Sequence, residues 1–234
     1  KIAPIIPVYD IGTSVDEDGN RDSFGGSKTA NTGNAANPFA ALQRGRRNIG
    51  MTNNVMGNFF GELDIIDGLT FRTDFKYNVN SFNNKQFFFR TPENQENQGA
   101  QNFQETWNNS FGWQWTNSLS YTKTLADKHS ISAFAGYEAQ KGRFRQIFGS
   151  VNNYFTTSPD IWYLNTAFGD ASTRQVNSTG NENRLLSVFG KIDYSLSSKY
   201  YVSATVRRDG SSRFSEGERY GVFPAVSLAW RVTG

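Results

Sequence analysis

Hydrophobic and polar residues alternate one by one over several long stretches of this chain. From Phe111 to Lys123, Phe111, Trp113, Trp115, Leu119 and Tyr121 are interleaved with Gly112, Gln114, Thr116, Ser118, Ser120 and Thr122. Period two puts the two sets on opposite faces of a β-strand. At about 3.4 Å per residue and a tilt near 45°, roughly 11 such residues cross a hydrocarbon layer of about 25 Å. A globular strand is usually about half as long.

The same alternation predicts hairpins. Val55, Phe59, Leu63 and Ile65 share one face, which continues after the turn as Leu69, Phe71, Phe75, Tyr77 and Val79. Matching these faces pairs Leu63 with Phe71 and Ile65 with Leu69, leaving Ile66, Asp67 and Gly68 as a loop whose last residue must be left-handed. On the polar face this register sets Glu62 opposite Arg72 and Asn58 opposite Lys76, so that charges meet across the ladder. A second hairpin runs through Leu186, Val188, Ile192, Tyr194 and Leu196, turns at Ser197-Ser198-Lys199, and returns through Tyr200, Val202, Ala204 and Val206. Lys191, Asp193, Ser203, Thr205 and Arg207 occupy its other face. Ile131, Ala133, Ala135 and Tyr137 follow a turn at Asp127-Lys128-His129, and Val222, Val226, Leu228, Trp230 and Val232 form a last apolar stripe.

About seven full strands result, and Ile2 to Asp10, interrupted by Pro4 and Pro7, is the candidate tail of an eighth. The connections fall into two alternating classes. Short ones lie near residues 66–68, 125–129 and 197–199; long ones span 10–50, 82–107, 142–182 and 209–219. Membrane barrels separate short turns from long loops at opposite ends, a segregation for which a β-sandwich has no reason. Tyr121, Tyr200 and Trp230 close the apolar stripes as an interfacial aromatic girdle would.

Composition supports an all-β chain, and the strand pattern with its segregated connections makes it an antiparallel transmembrane β-barrel segment of seven to eight strands. Gly, Asn, Ser, Thr and aromatics are abundant among the 234 residues, and helix formers are sparse. A mean hydropathy of -0.59 is no objection, because a barrel strand averages a lipid face with a lumen face. No run approaches the roughly 18 apolar residues of a membrane helix. A net charge of +3, evenly spread, points to no nucleic-acid partner. The absence of cysteine excludes disulfides and thiolate metal sites.

Three segments carry a family resemblance: WTNSLSYTKTLADKHSISAFAGYE (115–138), LLSVFGKIDYSLSSKYYVSATVRRDGSSRF (185–214) and YGVFPAVSLAWRV (220–232). They are similar to the barrel of SusC/RagA-type TonB-dependent transporters, and PVYDIGTSVDEDGN (7–20) with NPFAALQR (37–44) resembles the loop that precedes a barrel strand there. The resemblance implies that residues 1–234 are middle strands of one larger, 22-stranded barrel filled by a plug. The plug, the TonB box and the C-terminal strands are then expected outside this sequence, and Gly234 stands where such barrels end in an aromatic residue. It further implies active, TonB-dependent import of oligosaccharides or peptides across the outer membrane of a Gram-negative bacterium. A SusD-like surface lipoprotein would be the lid, with TonB and outer-membrane lipid as further partners. Two other readings stay open: a β-rich surface adhesin or binding module, and a passive porin.

No residue pattern supports catalysis. His129 stands alone in a turn, and strand carboxylates face Arg or Lys, which favours their charged form and suits no general acid. Asp16, Asp18, Asn20 and Asp22 have the two-residue spacing of calcium ligands, but Gly19 and Ser27 occupy positions four and twelve, where an EF-hand has Gly at six and Glu at twelve. An acidic turn without cofactor is expected, with calcium the weak alternative. Gly25 to Thr29 has the composition of a phosphate loop without its spacing. Substrate contact is assigned to long-loop aromatics and their neighbours, Phe88, Arg90, Trp107, Trp162 and Tyr163, and to Arg72 and Asp74 on the polar face. The competing reading is that Phe87, Phe89, Tyr154, Phe155 and these aromatics pack on one another or on the lid, and that the plug meets Arg72, Asp74, Lys76 and Arg207.

Overall fold

A computed structural model of the chain describes residues 8–9, 24–27, 37–91, 93–94, 99–165 and 169–232. Among the described residues a short helix, α1 (Pro38–Gly45), precedes seven strands: β1 (Ile49–Ile66), β2 (Leu69–Phe88), β3 (Asn102–Leu125), β4 (His129–Asn152), β5 (Gln175–Leu196), β6 (Tyr200–Ser211) and β7 (Tyr220–Trp230). They form one antiparallel sheet in sequence order, with β1 and β7 at its edges. Pro224, which can give no ladder hydrogen bond, sits in edge strand β7 opposite Val206.

The predicted hairpin registers hold. Across β5 and β6 the partners are Leu196 with Tyr200, Tyr194 with Val202 and Ile192 with Ala204 on the apolar face, and Asp193 with Ser203 and Lys191 with Thr205 on the polar one. Between β1 and β2, Arg72 meets Glu62 at 3.1 Å and Thr70 donates to Asp64 at 2.6 Å, as the predicted pairing requires. Gly68 has φ +77°, and its carbonyl accepts from Thr122 N at 2.8 Å on β3. A Cβ there would stand 2.2 Å from the Thr122 carbonyl oxygen. Gly68→Ala is therefore expected to cost about 1–2 kcal/mol in backbone strain, and more from this collision. Urea unfolding of the full-length protein measures it, and an unchanged midpoint would mean that the turn does not need glycine.

Several sequence expectations are corrected. Strands β1 to β5 run far beyond a membrane-crossing length, so that of the predicted long connections only 89–101, 153–174 and 212–219 remain between β2 and β7. Segments such as Asn80 to Gln86 are polar on both faces apart from Phe82 and give hydropathy no stripe to detect, yet the strand continues through them. Phe88 and Trp107 consequently lie in β2 and β3, not in loops. His129 opens β4 instead of lying in the turn, which is Ala126 to Lys128, and its Nδ1 lies 2.7 Å from Tyr194 Oη. Residues 37–44 are not a loop: Asn37 Oδ1 accepts from the Phe39 and Ala40 amides and Pro38 starts α1, a regular helix N-terminus. The proposed eighth strand falls mostly outside the described residues; within it Tyr9 makes an isolated bridge with Phe24.

The chain divides into two compact units. Residues 1–52, 82–108 and 146–179 form the first, and its described residues include the buried apolar side chains Phe87, Phe103, Val151, Tyr154 and Trp162. Residues 53–81, 109–145 and 180–234 form the second, where the sheet leaves an apolar row open: Val202, Val226 and Leu228 are 41%, 73% and 76% exposed. Water tolerates no contiguous apolar row of that extent on a monomer, whereas lipid does. Tyr200 and Trp230 end this row as a stacked pair, centroids 6.4 Å apart.

Candidate functional site

In the second unit, alternation brings the polar side chains of neighbouring strands to one face. Asp74, its side chain 13% exposed, lies between Arg72 (3.4 Å) and Lys76 (3.6 Å), and the Arg72 guanidinium rests 4.6 Å above the Phe60 ring. Two of the sequence candidates, Arg72 and Asp74, thus form one ion-paired row with Glu62 and Lys76. A second group lies outside the sequence candidates. Glu138 accepts from Gln114 (2.6 Å), Thr116 (3.0 Å) and Gln140 (2.7 Å), three neutral donors. Such a carboxylate fixes the orientation of the two amides and the hydroxyl that donate to it. No spacing in one strand discloses it, because its donors come from β3 and β4.

Beside this network runs a groove of about 660 Å³, lined among others by Asn58, Lys76, Asn78, Gln114, Gln140 and Asn183. Gly112 and Gly142 lie in its wall, and the Asn183 amide occupies the space that a Cβ on Gly142 would take. Amide groups both donate and accept, so the groove offers a polar ligand many neutral hydrogen bonds beside the Lys76 ammonium.

In the first unit the loop aromatics build a small core. The Trp162 and Phe87 rings stack at 4.9 Å and 14°, and Phe87 meets Tyr154 edge to face at 5.7 Å. The Tyr154 hydroxyl lies 2.8 and 3.0 Å from the carbonyls of Ile161 and Tyr163 and accepts from the Tyr163 amide at 3.2 Å. Trp162 is therefore turned into this core, while Phe88, Trp107 and Tyr163 stay exposed, as does Arg90. Lys85 Nζ stands 4.9 Å over the Tyr163 ring. Helix α1 is fixed by a bidentate pair, Arg44 to Glu93 at 2.6 and 3.0 Å. Gly25 and Gly26 serve packing: Asn37 Nδ2 donates to the Gly25 carbonyl at 2.8 Å, and a Cβ on Gly26 would strike the Glu93 carbonyl.

Asp170, at the start of a short 3₁₀ turn, is held below the usual carboxylate range by the Ser172 hydroxyl and then its amide. Its contribution is complete above the ordinary carboxylate value and is lost as pH falls through the lowered one. Among the described residues, no three His, Cys, Asp or Glu side chains are grouped to hold a metal. Asp16, Asp18, Asn20 and Asp22 lie outside the described residues.

A meander of long antiparallel strands, apolar and exposed on one face and polar on the other, defines a section of transmembrane β-barrel wall. No protein-family model matches the sequence. TonB-dependent receptor P39 of Formosa agariphila is 33% identical over 172 residues, covering 71% of this chain and 16% of that protein. TonB-dependent receptor SusC of Bacteroides thetaiotaomicron is 43% identical over 63 residues, 27% of this chain and 6% of that one. The RagAB peptide transporter superposes with a TM-score of 0.70 at 19% identity, over 82% of this chain and 21% of its own, which supports the fold. The chain is a partial SusC/RagA-like sequence, matching one stretch of these TonB-dependent receptors. It spans about a sixth of the length of the first curated relatives, at 16% and 17%. These relatives are receptors and a transporter, not enzymes.

Proposed function

We propose that this chain forms part of the wall of an importer in the outer membrane of a Gram-negative bacterium. TonB energises uptake of an oligosaccharide or peptide beneath a SusD-like lipoprotein lid. The observation that carries the reading is the two-faced sheet: an exposed apolar row on one side, and on the other the ion-paired and amide-lined surface around the groove. Such a surface suits a ligand rich in hydroxyl or peptide groups. Taken by themselves, the exposed Phe88, Trp107 and Tyr163 of the first unit offer apolar faces for substrate contact. A fold shared with a peptide transporter fits the peptide class, and the amide-lined groove fits the hydroxyls of an oligosaccharide.

Detergent extraction of the source envelope, followed by intact-mass analysis, tests the assembly. The sequence is expected within a chain several times larger than 26.3 kDa, beside a lipoprotein, and a freely soluble chain of that mass would contradict it. For the groove, Asn58→Ala combined with Asn78→Ala is expected to weaken substrate binding about tenfold, at roughly 0.5–1.5 kcal/mol per hydrogen bond. Calorimetry on the intact complex, with oligosaccharide and peptide pools in turn, reads this. Undiminished binding would place the substrate elsewhere.

A further inference from the structure

We infer that the apolar face of β5 to β7 ends in a binding site for the phosphate-bearing headgroup of a membrane lipid, in the leaflet on the long-loop side. The inference rests on the membrane reading above and specifies one of its contacts. Cross-strand register orders the outward row rung by rung. Tyr200 lies between Leu196 and Trp230, Val202 between Tyr194 and Leu228, and Ala204 between Ile192 and Val226. Val206 stands opposite Pro224, and the next outward residue is Arg208, between Val188 and Val222. An arginine between two valines is out of place inside hydrocarbon. From Tyr200 to Arg208 the strand rises about 27 Å, or roughly 20 Å along the membrane normal at a tilt of about 40–45°. The aromatic pair at Tyr200 marks one interface, so on a hydrocarbon layer of about 25 Å the Arg208 rung stops roughly 5 Å short of the other, a gap that its side chain spans by raising the guanidinium into the headgroups.

What surrounds it matches an anionic headgroup. The Arg208 guanidinium lies 4.3 Å over the Tyr220 ring. That ring covers Gly210, on the rung beyond, where a Cβ would be 2.5 Å from it. One rung further, Arg184 N donates to Ser212 Oγ at 2.8 Å. A groove of about 420 Å³ opens there, lined among others by Trp113, Lys141, Arg184, Ser212, Arg219 and Tyr220. Glu182 is shared by Lys141 (3.0 Å) and Arg184 (2.7 Å). Among the described residues no carboxylate pairs with Arg208 or Arg219, and Glu216 and Glu218 make no ion pair with either. Four cations against one paired carboxylate, on aromatic shelves at the edge of an apolar row, form a site for a lipid phosphate: the charge is met by guanidinium and ammonium, and the acyl chains run down the valine rungs.

The test uses the full-length protein in its native complex, delipidated in detergent. It is titrated with phosphatidylglycerol, with phosphatidylcholine as the zwitterionic comparison, and with inorganic phosphate as a competitor, and bound lipid is counted by native mass spectrometry. Wild type is expected to retain phosphatidylglycerol preferentially and not to lose it to inorganic phosphate. Arg184→Gln with Arg208→Gln should weaken retention roughly 30-fold, the effect of two basic residues at a membrane surface. Arg208→Lys, which keeps the charge, and Lys191→Gln, on the polar face, should both retain the lipid. Equal retention by wild type and the double variant, no preference over phosphatidylcholine, or displacement by inorganic phosphate as a free-anion site each overturns the inference. A complex soluble without detergent would instead overturn the membrane reading beneath it.

Discussion

Trp162→Ala is expected to destabilise the first unit by about 3–5 kcal/mol, the usual cost of emptying a buried tryptophan site. The indole is 3% exposed and stacked on Phe87, and Tyr154, Phe103 and Phe89 touch the same cluster. Removing it leaves a cavity that the strand ends cannot collapse into, because β2, β3 and β4 are fixed by their ladder. The 153–174 connection, whose hairpin-like Tyr154–Tyr163 contact depends on that packing, should then become open to protease. Limited proteolysis of the full-length receptor checks this: cleavage within 153–174 should rise strongly in the variant. Unchanged cleavage would mean that the ring lies outside a core and is free to meet substrate.

Val202→Arg and Thr205→Arg should differ sharply although they lie three residues apart. Val202 is on the exposed apolar row between Tyr194 and Leu228, and Thr205 faces the other way, between Lys191 and Ala225. A charge on the lipid face near mid-bilayer costs about 2–4 kcal/mol, while one on the polar face is solvated. Val202→Arg should therefore lower the amount of assembled protein in outer-membrane fractions far more than Thr205→Arg. Equal levels of the two variants would contradict either the register or the membrane assignment.

The hairpins were legible because three signals agree there: alternation, matched faces and a turn residue with a steric reason, as at Leu63, Phe71 and Gly68. Strand length was not, since residues such as Asn80, Asn83 and Lys85 carry no apolar contrast and their order comes from the neighbouring strand. Helix α1 has a readable signal in Asn37-Pro38, a capping side chain followed by a proline at the first helical position, although the segment resembles a loop. For the site, Arg72 with Asp74 and Glu62 followed from register, whereas Glu138 draws its donors partly from another strand. Likewise the core of Phe87, Phe103, Val151, Tyr154 and Trp162 gathers residues from three separated segments, so no local pattern distinguishes Trp162, which is buried, from Tyr163, which is exposed. Arg208 broke the apolar alternation openly, and only the partner valines on both sides gave that break a meaning.

The most direct test of the two-faced membrane wall is a single-cysteine scan along β6 in the full-length protein in its membrane. This chain has no cysteine of its own, so each probe within it stands alone. Spin labels at positions 202, 204 and 206 should be relaxed by oxygen dissolved in lipid, and those at 203, 205 and 207 by a water-soluble nickel chelate, alternating residue by residue. Uniform access of the chelate to all six positions would contradict the account.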